Sequence, residues 1–222
     1  MEHKKIQWHP AFIAAMDLEF SENRDNLIYE KEHNLSTKPL EIDLLVIKKT
    51  NSIPIANEIG KIFMGHNIIE YKSPGDHFNI DTFYKAGAYA SLYKVSGDKT
   101  DIIKAYDITV SIIRDTRPSG LFKYFSEHDF KTENPYPGIY YILNNVLFPT
   151  QIIVTGELES KNHVCLTALT EHIQKHELKT LLSKTKELTS EYEQELADSV
   201  INVTLKANKK LIETWKGEDN MY

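Results

Sequence analysis

Short apolar runs alternate along the first two thirds of the chain with stretches in which apolar residues recur every three or four positions. The runs predict β-strands and the other stretches predict helices, because side chains alternate between faces on a strand but recur about every 3.6 residues on a helix. The predicted strands cover residues 27–35, 40–48, 66–72, 107–114, 138–143 and 151–155. The predicted helices cover the stretch from Pro10 to Phe20 and residues 80–93 and 121–128.

The order of these elements indicates the fold class. A helix, three strands, a further helix and a fourth strand predict an α/β protein with a mixed central sheet flanked by helices, because a strand-helix-strand crossover favours parallel pairing. The composition changes near residue 160, since the remainder contains no proline and only Gly217. We therefore expect an α/β core over residues 1–160 and a helical C-terminal extension over residues 161–222.

The C-terminal extension carries an amphipathic stripe at helical spacing, formed by Leu181, Leu188, Tyr192, Leu196 and Val203. Such a stripe most often packs on its own domain, and a homodimer interface or another partner are the alternatives. A second pattern there places Cys165, His172 and His176 on one helical face, as a zinc site with three protein ligands would require. Nine histidines in one chain produce such spacings easily, so ordinary structural roles are the preferred interpretation.

Composition describes an ordinary globular protein of a reducing compartment. Apolar residues make up 41% of the chain and charged residues 26%. The single cysteine excludes an internal disulfide, and the first residues contain no apolar core of signal-peptide length. No uninterrupted apolar run approaches the roughly 18 residues that span a membrane. A soluble cytoplasmic protein without a membrane partner is the expectation.

The net charge of −6 is awkward for a protein that binds nucleic acid, because phosphate neutralisation by Lys and Arg supplies much of the affinity. Binding depends on a local basic surface, however, and not on the total charge. Two such surfaces are available in the sequence: one from Lys48, Lys49, Lys61, Lys85 and Lys94, the other from Arg114 and Arg117. Scattered solubilising charges are the equally weighted alternative.

Charged residues inside two predicted strands are the main candidate for chemistry. Asp43 lies in the apolar run 40–47, and the next strand carries Glu70-Tyr71-Lys72. Glu70 and Lys72 share one face of their strand, and Asp43 joins them if the two strands pair. A solvated ion pair worth roughly 0–1 kcal/mol is the ordinary alternative for Glu70 and Lys72. Asp43 argues against it, because an acid in a strand that is apolar on both faces is costly unless it binds something.

These residues resemble the motif of the PD-(D/E)XK nuclease superfamily. Its pattern is an acidic residue on one strand, Asp/Glu-x-Lys on the next, and then a helix; here these are Asp43, the run 70–72 and the helix 80–93. Ile42 replaces the proline that gives the superfamily its name, a common change that removes no ligand. Residues 8–94 look most like small proteins of anaerobic Gram-positive bacteria akin to the transposase-like Rpn nuclease group.

The resemblance implies a restriction-endonuclease-like fold and a nuclease that uses Mg²⁺ or Mn²⁺ to hydrolyse phosphodiester bonds, preferably of DNA. Asp43, Glu70 and the backbone carbonyl of Tyr71 would ligate the cation. Lys72 would orient or help to deprotonate the attacking water and stabilise charge that develops on the phosphate.

The superfamily often adds a glutamate from the first helix. Glu19 is the candidate, while Glu30, Glu32 and Glu41 are rivals and each is equally suited to a surface position.

Lys85 and Tyr89 resemble a polar-x-x-x-Tyr pattern on the following helix and are the candidate substrate-binding residues. A solvated lysine and a half-buried tyrosine are the ordinary alternative for this pair. A catalytically silent protein of the same fold, acting as a nucleic-acid-binding or protein-assembly module, is the alternative to the nuclease as a whole.

Overall fold

The structure, a computed structural model, describes residues 6–34, 41–50 and 52–219. The chain divides into two compact units. Residues 20–157 form one unit and contain the whole sheet. Residues 1–19 and 158–222 form the other, which is helical in its described part. The domain boundary expected at residue 160 stays a prediction.

The first unit contains a seven-stranded mixed sheet and two α-helices. The strands are β1 Leu27–Asn34, β2 Glu41–Lys48, β3 His66–Lys72, β4 Ile108–Arg114, β5 Thr132–Tyr136, β6 Ile139–Ile142 and β7 Thr150–Val154. Their spatial order is β1-β2-β3-β4-β7-β6-β5, with β3, β4 and β7 parallel and every other neighbouring pair antiparallel. The helices of this unit are α2 Ile80–Lys94 and α3 Ser119–Glu127.

The centre of the sheet is buried on both faces, as the sequence predicts for covered strands. Residues 67–71 of β3 and 108–113 of β4 are all buried. Helix α2 begins where the Asn79 side chain accepts a hydrogen bond from the backbone N–H of Thr82, at 3.1 Å. Phe83, Ala86 and Ala90 of α2 are buried in one apolar cluster with residues of β3, β4 and β7. This packing fixes α2 over one face of the sheet.

The α/β class and the mixed sheet predicted from the sequence are confirmed, together with a helical C-terminal region. Every predicted strand is present, with ends that differ by at most one residue where the ends are described. Strand β5 is missing from the prediction. It contains Pro135, and its first three residues are exposed, so it has neither the apolar alternation nor the backbone donors that mark a strand.

The helical unit comprises α1 Trp8–Glu19, α4 Val164–Thr167, α5 Lys175–Lys186, α6 Glu191–Ala207 and α7 Lys209–Asp219. Phe12 and Met16 are fully buried, as their spacing predicts. Helix α1 packs against α4 and α6. Among the described residues, no helix is long and apolar enough to cross a membrane.

The continuous C-terminal stripe expected from the sequence is wrong. The chain leaves the helix after α5 and begins a new one at the cap residue Ser190, so the stripe is divided between α5 and α6. Leu181 and Val203 are buried, but Tyr192 is 47% exposed and its hydroxyl donates to Oδ2 of Asp17 at 2.5 Å. The apolar face of α6 instead follows Ala197, Val200, Val203 and Thr204.

The shared helical face expected for Cys165, His172 and His176 is also wrong. Cys165 lies in α4, His172 precedes α5 and is exposed, and His176 lies in the first turn of α5. Burial, with a smaller contribution from the Glu19 carboxylate, raises the pKa of the Cys165 thiol to about 12. Within the described ranges, no three His, Cys, Asp or Glu side chains lie together in a way that could hold a metal ion. The zinc interpretation therefore loses its geometric basis.

The junction of α6 and α7 depends on one buried amide. The Asn208 side chain donates to the carbonyls of Thr170 (2.7 Å) and Thr204 (3.0 Å) and accepts from the N–H of Ile173 (3.2 Å). We expect Asn208→Ala to lower the free energy of unfolding by roughly 2 kcal/mol, because the buried Ile173 N–H and the Thr170 carbonyl would lose these bonds. Urea unfolding would measure it, with the exposed Asn202→Ala as control; equal midpoints for the two variants would contradict this role.

Candidate active site

Asp43 and Glu70 lie beside each other at the end of the β2–β3 pairing. The antiparallel register pairs Leu44 with Ile69, which makes Asp43 and Glu70 the next residues on the two strands. There, Oδ2 of Asp43 accepts a hydrogen bond from the backbone N–H of Tyr71 at 2.8 Å. The structure therefore brings together the two carboxylates that the sequence places on different strands.

Lys72 completes this group on the same face of β3 as Glu70. Its Nζ lies 3.5 Å from Oε2 of Glu70, and the two side chains are 18% and 5% exposed. Lys72 is therefore partly exposed to solvent, whereas Glu70 is almost completely buried. The structure brings Asp43, Glu70 and Lys72 together at this end of the two strands, and their role as a metal site stays a prediction.

Burial makes Glu70 an unusual acid. Desolvation, followed by the negative charge of Asp43, raises its pKa from 4.5 to about 7, while Lys72 and the backbone N–H of Asp43 oppose this in part. Its Oε1 is buried and accepts no hydrogen bond from the described residues. A buried carboxyl that titrates near neutrality beside a second acid and a cation is typical of functional sites.

Helix α2 places Lys85 and Tyr89 on the Glu70 side of the sheet. Tyr89 is buried in the apolar cluster that contains Ile112, the register partner of Glu70 on β4. Nζ of Lys85 lies 5.3 Å from the Tyr89 ring centroid. A hydrogen bond to Tyr89 is the largest cause that raises the pKa of Lys85, and the charges of Glu70 and Asp43 act in the same direction. The exposed Lys85 side chain thus faces the field of both acids.

The structure does not assign the third acidic ligand expected from the sequence. Glu19 is the last residue of α1, and its Oε2 lies 2.8 Å from Nδ1 of His163, a buried neighbour in the helical unit. Of its rivals, Glu41 is exposed at the start of β2, and Glu32 has a positive φ of 49°. The identity of a further carboxylate ligand stays a prediction.

A polar cluster lies near the ends of β4 and β7. The sequence indicates only one of its members, Arg117, as part of a basic surface. The Arg117 guanidinium lies 4.3 Å from the Phe122 ring centroid and 4.6 Å from that of Tyr140. It donates to the Tyr140 hydroxyl, which in turn donates to Glu157. Because these residues come from separate elements, no sequence spacing marks them as a group.

Comparisons with protein-family models, curated proteins and solved structures find no match for this chain. The site residues themselves therefore indicate what chemistry the chain can perform. Two carboxylates and a nearby backbone carbonyl form a set of hard oxygen donors, the kind that Mg²⁺ and Mn²⁺ prefer. The adjacent ammonium of Lys72 is suited to a substrate that carries negative charge.

Proposed function

We propose that this protein is a metal-dependent nuclease with a restriction-endonuclease-like fold that hydrolyses phosphodiester bonds of DNA. The observation that supports it most is the convergence of Asp43, Glu70 and Lys72, with Glu70 buried and one of its oxygens without a hydrogen bond. The chain order agrees with the PD-(D/E)XK pattern, since an acidic strand is followed by a strand with Glu-x-Lys and then by α2.

The residues at this site fit a divalent cation. Asp43 and Glu70 would hold it through their carboxylates and Tyr71 through its carbonyl, and the buried Glu70 Oε1 has no hydrogen-bond partner among the described residues. With few protein ligands, the remaining positions suit water and substrate phosphate, as is usual for Mg²⁺. When bound, the cation supplies charge stabilisation at the phosphate and a lower pKa for a bound water.

The side chains around the carboxylates divide the remaining work. Lys72, 3.5 Å from Glu70, orients the attacking water and stabilises charge on the phosphate as it develops. Lys85, whose ammonium is exposed above the Tyr89 ring, binds a phosphate oxygen of the incoming strand. Although the chain as a whole carries a net negative charge, these two lysines provide local positive charge around the phosphate that reacts.

The proposal is tested by incubating the purified full-length protein with supercoiled plasmid, linear duplex, single-stranded DNA and RNA. Each substrate is tested with Mg²⁺, with Mn²⁺ and with EDTA. We expect cleavage of DNA with either cation and none in EDTA. Equal cleavage in EDTA would contradict the metal mechanism, and binding without cleavage under every condition would favour the silent binding module.

Asp43→Asn is expected to lose divalent-cation binding while it stays folded. The amide oxygen can still accept the hydrogen bond from the Tyr71 N–H, but it is a weaker, uncharged ligand for a hard cation. We expect the Mn²⁺ affinity, measured by calorimetry or electron paramagnetic resonance, to fall by more than the roughly 10–100-fold that loss of an outer-shell partner costs. Asp98→Asn, on an exposed loop, is the control, and unchanged Mn²⁺ binding by Asp43→Asn would exclude this metal site.

A further inference from the structure

A second cation, Arg114, ends the strand next to Lys72. Strands β3 and β4 are parallel, and their register pairs Lys72 with Arg114 and Glu70 with Ile112. Register partners on neighbouring strands lie about 4.8 Å apart in the backbone and project from the same face of the sheet. Arg114 therefore leaves the sheet on the side of Glu70 and Lys72, one strand further from Asp43.

The guanidinium of Arg114 has donors that the folded chain does not use. Its side chain is only 14% exposed, and its Nη2 donates to the Thr116 hydroxyl at 2.9 Å. The Asp115 carboxylate is 3.9 Å away, which is too far for a hydrogen bond. Its Nε is buried and has no hydrogen-bond partner among the described residues. A guanidinium carries five N–H donors, and the bond to Thr116 is the one that the described residues use.

Two neighbouring cations, one of them incompletely paired, favour an anion with several oxygens. The guanidinium fork matches phosphate geometry and can contact two oxygens at once. Arg117 differs, because its guanidinium already contacts the rings of Phe122 and Tyr140 and donates to the Tyr140 hydroxyl and the Glu157 carboxylate. We propose that Arg114 binds a phosphate of the DNA substrate adjacent to the phosphate that is cut. This inference rests on the nuclease function proposed above.

The test measures phosphate contacts directly through the salt dependence of binding. The probe is a fluorescein-labelled DNA duplex of about 20 base pairs, held uncut with Ca²⁺ in place of Mg²⁺, and titrated over a series of NaCl concentrations. We expect Arg114→Gln to weaken binding by roughly tenfold and to reduce the slope of log K against log salt by about 0.9. Lys123→Gln, which removes an exposed charge from α3, should leave both quantities unchanged.

Cleavage kinetics with Mg²⁺ provide a second measurement. A purely structural role of Arg114 would not change KM selectively. We expect Arg114→Gln to raise KM about tenfold with a much smaller change in kcat, because a contact made equally in ground and transition states affects binding alone. Arg114→Lys keeps the charge but not the fork, so the salt slope should stay near wild type while KM rises. Circular dichroism checks folding, and Arg114→Lys decides the matter if the glutamine variant does not fold.

The two proposals fail in different ways. A wild-type protein that neither binds nor cuts the duplex overturns the nuclease function and the role of Arg114 with it. A wild-type protein that cuts with Mg²⁺, together with Arg114 variants that keep the wild-type salt slope and KM, overturns the role of Arg114 alone.

Discussion

We expect the Lys72→Ala protein to cut DNA roughly 10²-fold more slowly than wild type, the usual scale for a positioned proton-transfer group. Lys72 stands beside Glu70 and is the more exposed of the two, so its ammonium is the group that an incoming phosphate meets. Metal binding should persist, because Asp43, Glu70 and the Tyr71 carbonyl are unchanged. Loss of rate without loss of metal separates the role of Lys72 from that of the carboxylates.

This measurement needs a controlled pH. Lys72 lowers the pKa of Glu70, so its removal leaves Glu70 protonated up to a higher pH and would weaken metal binding near neutrality. Single-turnover cleavage should therefore be measured with saturating Mn²⁺ at about pH 8.5, well above the pKa of about 7 that Glu70 has in wild type. Lys123→Ala, on the exposed face of α3, is the control. Full activity of the Lys72→Ala protein would refute the proposed role.

The sequence predicts those parts of the fold in which burial produces a recognisable pattern of apolar residues. Strands β3 and β4 are buried on both faces, and their limits follow from where the apolar runs stop. The break between α5 and α6 could not be located in this way, because a helical spacing of apolar residues continues across it. The hydrogen bonds at the two helix ends that form the break, among them the one from the Gln194 N–H to the Ser190 carbonyl, belong to the backbone and leave the hydrophobic pattern unchanged.

The candidate site likewise has a part that the sequence predicts and a part that depends on tertiary structure. That Glu70 and Lys72 share a face follows from strand geometry alone. That Asp43 lies beside them depends on the register of β2 against β3, and the nearness of Arg114 depends on parallel pairing across a crossover of more than thirty residues. Register and crossover pairing are tertiary properties, and for this reason the sequence places Arg114 only in a general basic patch.

Glu70→Gln should abolish cleavage and at the same time stabilise the metal-free protein above neutral pH. The carboxyl has a pKa of about 7 in the folded chain against 4.5 ordinarily. Below about pH 4.5 it is neutral in both states and imposes no penalty. Between the two values the unfolded chain releases the proton and the folded chain keeps it, so stability falls as the pH rises. Above about pH 7 the full penalty, roughly 3 kcal/mol, is present.

The glutamine variant stays neutral and should escape this penalty, so urea unfolding in EDTA should show it more stable than wild type at about pH 8 and nearly equal to it at about pH 4.5. Added Mg²⁺ should stabilise wild type alone, because ligand binding to the folded state raises its stability and needs the ionised carboxylate. Glu41→Gln, an exposed carboxylate on β2, should follow the wild-type pH dependence. A Glu70→Gln protein that follows it as well would show that Glu70 is an ordinary partner of Lys72. A gain in stability with loss of cleavage would instead identify Glu70 as a residue kept for function at the expense of the fold.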